Sequence, residues 1–375
     1  MRIFITGATG FIGEALIKEL IKRKNTEKLE ITVHGTNVEL CRKFRDLGCA
    51  VIETHDLNQI RQACANQDVI VNCAGLAKTF DLPERFDKIN IDLVRVLRDE
   101  CLTNKIKLIH LSSPSVYVDY QDHENIKEEK DGDLLPRPVS DYARTKQAAD
   151  KLIKEGWNKG LHAMIFRPHL VYGPGDKKIL SGLIKAHQSG FLPLFNNGEV
   201  KVDMTYIDNC VHALILGIFS NDPSALGQIY NITDCHPQKV KDLVTELFHN
   251  AEIQVKNAWL LPAGSFTVLS SILSVIEYGA RVLQFFGFNP QLEKTPFWLQ
   301  HFACTATLDN SNAKERLGYA PIIPAAIGKV RFANWYKEQQ GIAFFPNVKS
   351  QTNFTQELVQ PGYGVSLNLS KSKTD

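Results

Sequence analysis

The sequence predicts an α/β fold, in which a doubly wound parallel sheet is followed by a smaller mixed α/β C-terminal domain. An apolar run at residues 2–6 leads directly into a glycine-rich turn and then into a helical pattern. Further along, short apolar runs alternate with helical patterns, which is typical of β-α-β units. After Arg167 the chain changes to loops rich in glycine, proline and aromatic residues, so we expect a second domain to begin there.

The N-terminal turn contains Gly7, Gly10 and Gly13 at G-x-x-G-x-x-G spacing, between the first strand and the first helix. Backbone N–H groups and the positive end of the helix dipole converge at such a turn, which makes it an anion site. Gly7 would permit the tight turn, Gly10 the close approach of a pyrophosphate, and Gly13 the packing of helix on strand. This context favours a dinucleotide-binding loop over an ordinary glycine-rich loop.

The alternating patterns define the elements of the predicted sheet. Its candidate strands are Arg2–Thr6, Glu30–His34, Ala50–Glu53, Val69–Cys73, Lys107–Ser112 and His162–Arg167. The candidate helices between them are Phe11–Lys24, Val38–Leu47, Ile60–Asn66, Phe86–Thr103 and Tyr142–Asn158. The fourth strand runs into Cys73, Ala74 and Gly75 at the edge where such sheets bind ligands. Gly75 would let the backbone lie against a cofactor, although a plain β-to-α turn has the same composition.

Tyr142 and Lys146 lie four residues apart on a predicted helix, downstream of Ser112 and Ser113. This spacing places the phenol and the ammonium on one helix face, where the cation favours phenolate and lowers the pKa of the tyrosine. Such a tyrosine is a usable proton donor and acceptor. Tyrosine and lysine at this spacing also occur on many solvated helices, so the interpretation depends on the glycine loop.

The second half of the chain is expected to hold the substrate. Helices are predicted near Asp208–Phe219, Val240–Phe248, Asn310–Leu317 and Ala325–Gln339. Asp208 is expected to be an N-cap, and Asp309 or Ser311 is expected to cap the helix that Gly318 ends. An uncharged run, Gly264–Ile276, continues as an amphipathic helix towards residue 288. The run is shorter than the ~20 residues that span a bilayer. It is interpreted either as an apolar lid or interfacial helix in contact with a membrane, or as a core helix of the small domain.

Composition narrows the class of protein. The chain has 375 residues, 44% of them hydrophobic, and a net charge of +2, which gives no indication of nucleic-acid binding. Its 8 cysteines show no C-x-x-C pair or histidine at ligand spacing. We therefore expect reduced, mostly buried thiols and no metal site. The glycine loop begins at residue 7, which leaves no room for a signal peptide and predicts a cytoplasmic enzyme.

Together these motifs resemble those of the extended short-chain dehydrogenases/reductases, the NAD-dependent epimerase/dehydratase superfamily. The segments that carry the resemblance are Thr6 to Gly13, Asp56-Leu57, Asn72 to Gly75, Ser112-Ser113, Tyr142 with Lys146, and Arg167 to Asp176. Ser112 to Val116, Arg167 to Leu170, Asp203 to Asn209 and Leu317 to Pro321 are most similar to the 3β-hydroxysteroid dehydrogenase branch. That branch includes C-3 sterol dehydrogenases and 2-alkyl-3-ketoalkanoate reductases. The resemblance covers residues 1 to about 340.

The resemblance implies a Rossmann domain at residues 1–170, a substrate domain at 171–345, and return of part of 200–235 to the first domain. Residues 346–375 are polar, and we expect them to form a disordered tail. In catalysis, Tyr142 would be the acid/base, Lys146 would lower its pKa and bind the nicotinamide ribose, and Ser113 would bind the substrate oxygen. The residues expected to bind the cofactor are Gly7, Thr9, Gly10, Phe11, Ile12, Gly13, Asp56, Leu57, Cys73, Ala74, Gly75, Tyr142, Lys146 and Pro168. Asp56 is expected beside the adenine.

Two positions depart from the family pattern. Thr145 replaces the usual serine before Lys146 and keeps a hydroxyl. The segment Ile31 to Asn37 has no acid where the adenosine ribose is normally held, so a 2′-phosphate is not repelled. Arg42, Lys43 or Arg45 on the next helix would be within reach of it. The missing acid and the nearby basic residues favour NADP over NAD.

The expected activity is hydride transfer between the cofactor and a ketone or secondary alcohol of an apolar substrate, such as a 3β-hydroxysteroid, a sterol or a long-chain 3-keto acid. The main alternative is a nucleotide-sugar epimerase or dehydratase. Against it, Leu170 replaces an asparagine that holds the nucleotide diphosphate, and Pro114 replaces the acid that dehydratases carry after Ser113. A non-catalytic dinucleotide sensor is a third hypothesis. By analogy, a homodimer would form through Phe86–Thr103 and the helix of Tyr142.

Overall fold

The computed structural model describes residues 1–128, 138–254, 258–292 and 294–340. Its first six strands are β1 (Arg2–Thr6), β2 (Glu30–Gly35), β3 (Ala50–Glu53), β4 (Val69–Asn72), β5 (Lys107–Leu111) and β6 (His123–Ile126). The next are β7 (Ala163–Pro168), β8 (Val171–Tyr172), β9 (Leu192–Leu194), β10 (Lys201–Val202), β11 (Thr205–Tyr206), β12 (Gln228–Ile232), β13 (Gln238–Lys239), β14 (Ala258–Leu260) and β15 (Ala306–Leu308). The predicted strand ends were right to within about one residue.

Helices connect many of these strands. They are α1 (Phe11–Arg23), α2 (Val38–Asp46), α3 (Leu57–Ala63), α4 (Pro83–Asp87), α5 (Leu93–Asn104), α6 (Asp141–Trp157) and α7 (Leu180–Gln188). The C-terminal part has α8 (Ile207–Phe219), α9 (Val240–Asn250), α10 (Ser265–Phe285), α11 (Pro296–Gln300), α12 (Ser311–Leu317) and α13 (Ala325–Gln339). A π turn, Lys88–Asp92, joins α4 to α5. The helix predicted at Ile60–Asn66 instead begins at Leu57, because Asp56 caps it.

Seven parallel strands form the main sheet, in the order β12-β7-β5-β4-β1-β2-β3. The apolar residues of β1 are fully buried, as expected for a parallel sheet covered by helices on both faces. The strand order reverses at β1, which pairs with β4 on one side and β2 on the other. Ligands bind outside the carboxyl ends of strands at such a point. The predicted doubly wound α/β fold is confirmed.

The second half of the chain is divided between this sheet and a smaller layer. Strand β12 pairs with β7 at the edge of the main sheet, and α8 packs against α1. These two elements lie within residues 200–235, the segment expected to return to the first domain. A four-stranded sheet with the order β13-β10-β15-β6 combines antiparallel and parallel pairs and forms much of the smaller layer. The predicted tail at 346–375 lies outside the described residues.

Two expectations about the second half were wrong. Asp208 is not an N-cap: α8 begins at Ile207, and the Asp208 carboxylate instead pairs with Arg331 at 3.3 Å. The N-cap of α12 is Asn310, although Asp309 accepts a hydrogen bond from the Ser311 amide. Gly318 ends α12 in the left-handed conformation, as predicted.

The apolar segment is left open by the sequence between a lid or interfacial helix and a core helix of the small domain. It forms the 21-residue helix α10, which is long and apolar enough by length and composition to cross a membrane. Only Ala280 is buried in this helix, so it is not a core helix of the small domain. The run looked short because Glu277 and Arg281 interrupt it in the sequence, whereas in the structure both belong to the same continuous helix.

Candidate active site

The glycine loop has the geometry of an anion site. Gly7 has a φ of +68°, and a Cβ there would lie 2.4 Å from the Ala74 amide nitrogen. A Cβ on Gly13 would lie 2.3 Å from the Gly7 carbonyl oxygen. Gly10 is the N-cap of α1, and no side chain caps this helix. The loop thus brings β1, α1 and the end of β4 together around a bare helix N-terminus, which fits the pyrophosphate of a dinucleotide.

A cavity of about 1190 Å³ opens from this loop toward the smaller layer. Among the predicted site residues it is lined by Thr9, Gly10, Phe11, Ile12, Gly13, Cys73, Gly75, Ser113, Tyr142, Lys146 and Pro168. Gly7 and Ala74 are not part of its wall, because they pack against each other beneath it. Asp56 and Leu57 lie at the start of α3 and are not part of the wall either. Eleven of the fifteen predicted cofactor-site and catalytic residues therefore share one cavity.

Tyr142 and Ser113 meet at the end of β5. Ser140 caps α6 by accepting a hydrogen bond from the Ala143 amide at 3.1 Å, so Tyr142 lies in the first turn of that helix. Ser113 precedes a short 3₁₀ turn and accepts a hydrogen bond from the Ser115 amide at 3.2 Å. The Tyr142 phenol hydrogen bonds with the Ser113 side chain. These two hydroxyl groups can therefore bind one substrate oxygen together.

Lys146 is buried, and its ammonium donates to the Leu111 carbonyl at 2.9 Å. Burial lowers the pKa of Lys146 to about 8. The ammonium lies 5.9 Å from the Tyr142 ring centroid. A Cβ added to Gly75 would approach the Lys146 ammonium to 3.3 Å. The space beside Gly75 is thus a place where a ribose hydroxyl could reach the ammonium.

The expected lowering of the Tyr142 pKa is not found in this structure. Burial raises the pKa of Tyr142 above its usual value of 10, and the hydrogen bond with Ser113 opposes that effect. The physical reason is the direction of Lys146, whose ammonium is bonded to the Leu111 carbonyl rather than to the phenol. The phenol is therefore protonated at neutral pH, the state required of a proton donor.

Behind Lys146 lies a fully buried ion pair. Asp150, one helical turn further along α6, accepts from Arg167 on β7 at 2.7 and 3.1 Å. Both side chains are at most 1% exposed. Arg167 also donates to the Tyr117 hydroxyl and stacks 4.7 Å from that ring. Asp150 raises the pKa of Lys146, opposing the effect of burial.

Asp150 also faces His110 on β5, with 3.9 Å between Oδ1 and Nε2. Neither atom has a hydrogen-bond partner among the described residues. Asn72 orients the imidazole: its Oδ1 accepts from Thr6 at 2.6 Å and from the Ala74 amide at 3.2 Å, so its amide nitrogen donates to Nδ1 at 3.0 Å. Burial lowers the pKa of His110 to about 3. The neutral imidazole thus directs its Nε2–H at Asp150.

Asn90 is a candidate functional residue that the sequence analysis missed. It lies in the π turn and is 2% exposed. Its amide nitrogen donates to Thr145 at 2.9 Å and to the Leu76 carbonyl at 3.2 Å, and its oxygen accepts from the Leu76 amide at 2.7 Å. Asn90 therefore ties the loop after β4 to the catalytic helix. The signal was a polar residue at an apolar position of a helical pattern, between Ile89 and Ile91.

Aromatic residues of α11 and the following turn form the wall opposite Ser113. The Phe297 ring lies 6.0 Å from the Tyr142 ring, centroid to centroid. His301 bonds to the Phe297 carbonyl at 2.8 Å and packs edge-on to the Phe297 ring at 5.0 Å. Trp298 and Phe302 also line the cavity. The wall next to the phenol is thus mainly apolar.

At the other end of the cavity, Asn37 caps α2 and lines the wall. Of the three basic residues predicted to reach a 2′-phosphate, Lys43 pairs with Glu39 at 2.8 Å and Arg45 pairs with Glu53. Within the described ranges, Arg42 has no such carboxylate partner and is exposed. Of these three residues, Arg42 is thus the one whose charge is not already paired, although it does not line the cavity. The described residues contain no group of three or more metal-binding side chains.

Comparison with known proteins identifies the family of this chain. Residues 3–233, more than half of the chain, match the NAD dependent epimerase/dehydratase family. The chain is 28% identical over 287 residues to 3beta-hydroxysteroid-dehydrogenase/decarboxylase isoform 2 from Arabidopsis thaliana, covering 74% of this chain and 50% of that protein. It is 25% identical to 2-alkyl-3-oxoalkanoate reductase from Shewanella oneidensis, covering 88% of this chain and 84% of that protein.

Among solved structures, the fold is similar to that of UDP-glucuronic acid 4-epimerase from Bacillus cereus in complex with NAD. The TM-score is 0.69 at 20% identity, over 92% of this chain and 99% of that one. At this level of identity the similarity shows the fold alone. The family match, the glycine loop and the cavity agree: the chain belongs to the NAD dependent epimerase/dehydratase family and is an enzyme of the extended short-chain dehydrogenase/reductase type.

Proposed function

We propose that this enzyme transfers a hydride between a nicotinamide cofactor and a ketone or secondary alcohol of an apolar substrate, of the 3β-hydroxysteroid, sterol or long-chain 3-keto acid type. The observation that carries the proposal is the contact between Phe297 and Tyr142, which places an apolar wall directly against the acid/base. Trp298 and Phe302 extend that wall. Pockets for apolar small molecules have this combination of aromatic lining and a few polar groups.

In the proposed reaction, the bound dinucleotide supplies or accepts the hydride. In the direction of reduction, the Tyr142 phenol gives its proton to the carbonyl oxygen while the Ser113 hydroxyl donates a hydrogen bond to the same oxygen. Both groups stabilise negative charge that develops on that oxygen. Lys146 supplies positive charge near the phenol as it loses its proton.

Polar residues also line the cavity near the phenol. They are Ser112, Ser115 and His169, but Ser112 Oγ, Ser115 Oγ and His169 Nδ1 are themselves buried and have no hydrogen-bond partner within the described part of the chain. Burial lowers the pKa of His169 to about 3, so this imidazole is neutral. The side chains of this part of the lining are therefore uncharged.

A nucleotide-sugar epimerase or dehydratase is the second candidate, favoured by the fold of the solved neighbours. Leu170, at the position where those enzymes are expected to carry asparagine, lines the cavity with an apolar side chain. It has a φ of +41°, a left-handed conformation that asparagine adopts more readily than leucine. The apolar Leu170 side chain offers no amide to a diphosphate, which favours the first candidate.

For the cofactor we propose NADP. The supporting observations are the absence of an acid between Ile31 and Asn37 and the exposed Arg42 side chain. A titration of the protein with NADPH and NADH in parallel tests this, and equal affinity for the two would count against it.

The activity is tested by turnover with both cofactors on a panel of steroid ketones, long-chain 3-keto acids and nucleotide sugars. Turnover of an apolar ketone supports the proposal. Turnover of a nucleotide sugar alone would select the second candidate, and cofactor binding without any turnover would select the sensor. Phe297→Ala should raise the KM for the apolar substrate, whereas Phe219→Ala, outside the cavity, should leave it unchanged.

A further inference from the structure

Helix α10 presents an unusually apolar outer surface. Its exposed side chains include Val268, Ile272, Val275, Ile276, Val282, Leu283 and Phe285, and Phe286 and Phe288 continue the surface beyond its end. Val275 is 72% exposed and Phe285 is 86% exposed. A continuous apolar surface of this kind is rare on a soluble monomer and marks an interaction site. We call residues 264–288 the apolar helix segment.

Several polar groups of this segment are bonded within the protein. The hydroxyls of Ser270, Ser271 and Ser274 each donate to a backbone carbonyl of their own helix, at 3.1, 2.7 and 2.8 Å. Such internal bonds satisfy a hydroxyl without solvent. Arg281, one of the two charged residues, points into the protein, where its guanidinium donates to Asp141 at 2.5 Å and to the Asp81 carbonyl at 2.7 Å. The other, Glu277, is half-buried, and burial raises its pKa.

The segment is held flat against the protein along its length. Near its start, Phe266 packs edge-on to Tyr120 and Phe195, at 5.8 and 5.7 Å. Near its end, Arg281 bonds to Asp141 and stacks 4.1 Å from the Phe80 ring. A helix fixed at both ends cannot turn to cross a bilayer without breaking these contacts. At 1.5 Å per residue its length is about 31 Å, so it offers a long apolar face parallel to the protein surface.

Exposed cations lie beside the segment. Asp81, next to the Arg281 contact, is 2% exposed, whereas its partners Lys78 and Arg85 are 43% and 53% exposed. The exposed Lys294 lies 5.4 Å from the Phe191 ring, which packs against Trp259. A tryptophan and long basic side chains beside an apolar face are typical of the headgroup level of a membrane. This arrangement complements anionic lipid rather than a second cationic surface of the same chain.

We propose that the apolar helix segment docks on the surface of a lipid bilayer, with α10 lying in the plane of the interface. The segment is one helix away from the active site, because its inner side packs with Leu299 of α11, and α11 presents Phe297 to the cavity. The enzyme would thus place its cavity next to the phase in which an apolar substrate dissolves. The docking proposal rests on the exposed apolar side chains of the segment and on the cations beside it. It does not depend on the identity of the substrate.

The test is cosedimentation of the full chain with vesicles of phosphatidylcholine containing a minor share of phosphatidylglycerol. The wild-type protein should bind, more strongly as the share of phosphatidylglycerol rises. Leu283→Ser should weaken binding about tenfold, and Val275→Ser with Phe285→Ser should abolish it. The matched control is Leu47→Ser, which removes an apolar side chain of the same type and exposure, 48% against 47%, on a distant helix. Cofactor binding should be unchanged in all variants.

Three outcomes would overturn the proposal. The wild-type protein could remain in the supernatant with every vesicle composition. It could form a dimer in sedimentation-velocity experiments that Val275→Ser with Phe285→Ser dissociates, which would assign the segment to a second copy of the chain. It could resist alkaline extraction from cell membranes, which would show that α10 spans the bilayer. None of these measurements uses turnover, so their results are independent of the proposed reaction.

Discussion

Asp150→Asn tests the electrostatic role assigned to the buried ion pair. The substitution removes a negative charge one helical turn from Lys146 while keeping the size of the side chain. Charges four residues apart on a helix are separated by roughly 6 Å, and at an effective dielectric constant of about 20 their attraction is about 2.8 kcal/mol. This corresponds to about two pKa units. Because Arg167 pairs with the same carboxylate and offsets part of its charge, we expect a decrease of one to two units in the Lys146 pKa.

The pH dependence of kcat/KM for ketone reduction reports this change. Burial raises the Tyr142 pKa above 10, so the phenol keeps its proton over the assay range. The Lys146 pKa is about 8. The ammonium is therefore lost as pH rises through 8, and activity should fall there in the wild-type enzyme. In Asp150→Asn the decrease should begin one to two units lower. Glu155→Gln, an exposed acid on the same helix, is the matched control and should leave the profile unchanged.

Removing one partner of a buried ion pair costs about 3–5 kcal/mol of stability, so each profile is measured below the melting temperature of the variant. If Asp150→Asn does not fold, Lys146→Arg is the complementary test. Arginine stays charged across the assay range. Cofactor affinity in Lys146→Arg should therefore lose its dependence on pH near 8. An Asp150→Asn enzyme that is folded and has the alkaline limb of the wild type would refute the reasoning.

Three further predictions concern the loop, the triad and the cofactor. Tyr142→Phe should reduce kcat by about 10²–10⁴-fold and Ser113→Ala by about 10²–10³-fold, with cofactor affinity retained in both; equal activity with wild type in a steady-state assay would remove either residue from the reaction. Gly7→Ala should abolish dinucleotide binding in a fluorescence titration and lower the melting temperature more than Gly160→Ala does. Both glycines have positive φ, but only Gly7 has backbone within 4 Å of its added Cβ. Similar losses in the two variants would contradict the argument from close packing. Arg42→Ala should weaken NADPH about tenfold and leave NADH unchanged, and a parallel loss for both cofactors would show that Arg42 does not bind the 2′-phosphate.

Local patterns were sufficient for the fold and for the position of the cavity. The G-x-x-G-x-x-G turn constrains its own neighbours, since Gly7 and Gly13 must approach Ala74 and the loop backbone closely. The match of residues 3–233 confirms the family that these motifs predicted. The roles of Tyr142, Lys146 and Ser113 remain predictions, although the structure places all three in one cavity.

Features that depend on long-range contacts could not be read from the chain. The ammonium of Lys146 bonds to the Leu111 carbonyl, 35 residues away, and the burial that raises the pKa of Tyr142 also comes from segments distant in sequence. The pairing of Asp150 with Arg167 requires two separate elements to be adjacent in space. The exposure of α10 could not be predicted from the sequence either, because a buried helix and a helix that faces lipid have the same apolar pattern.

The π turn at Lys88–Asp92 has a consequence for how this chain can tolerate deletions. A π turn holds one residue more than the α-helix it interrupts, and loss of one residue there would restore regular winding between α4 and α5. Each residue turns a helix by about 100°, so the repaired helix would carry Asn90 away from Leu76 and Thr145. The shorter helix would have more regular backbone hydrogen bonds. It would also lose the contacts by which Asn90 holds the loop after β4 against α6.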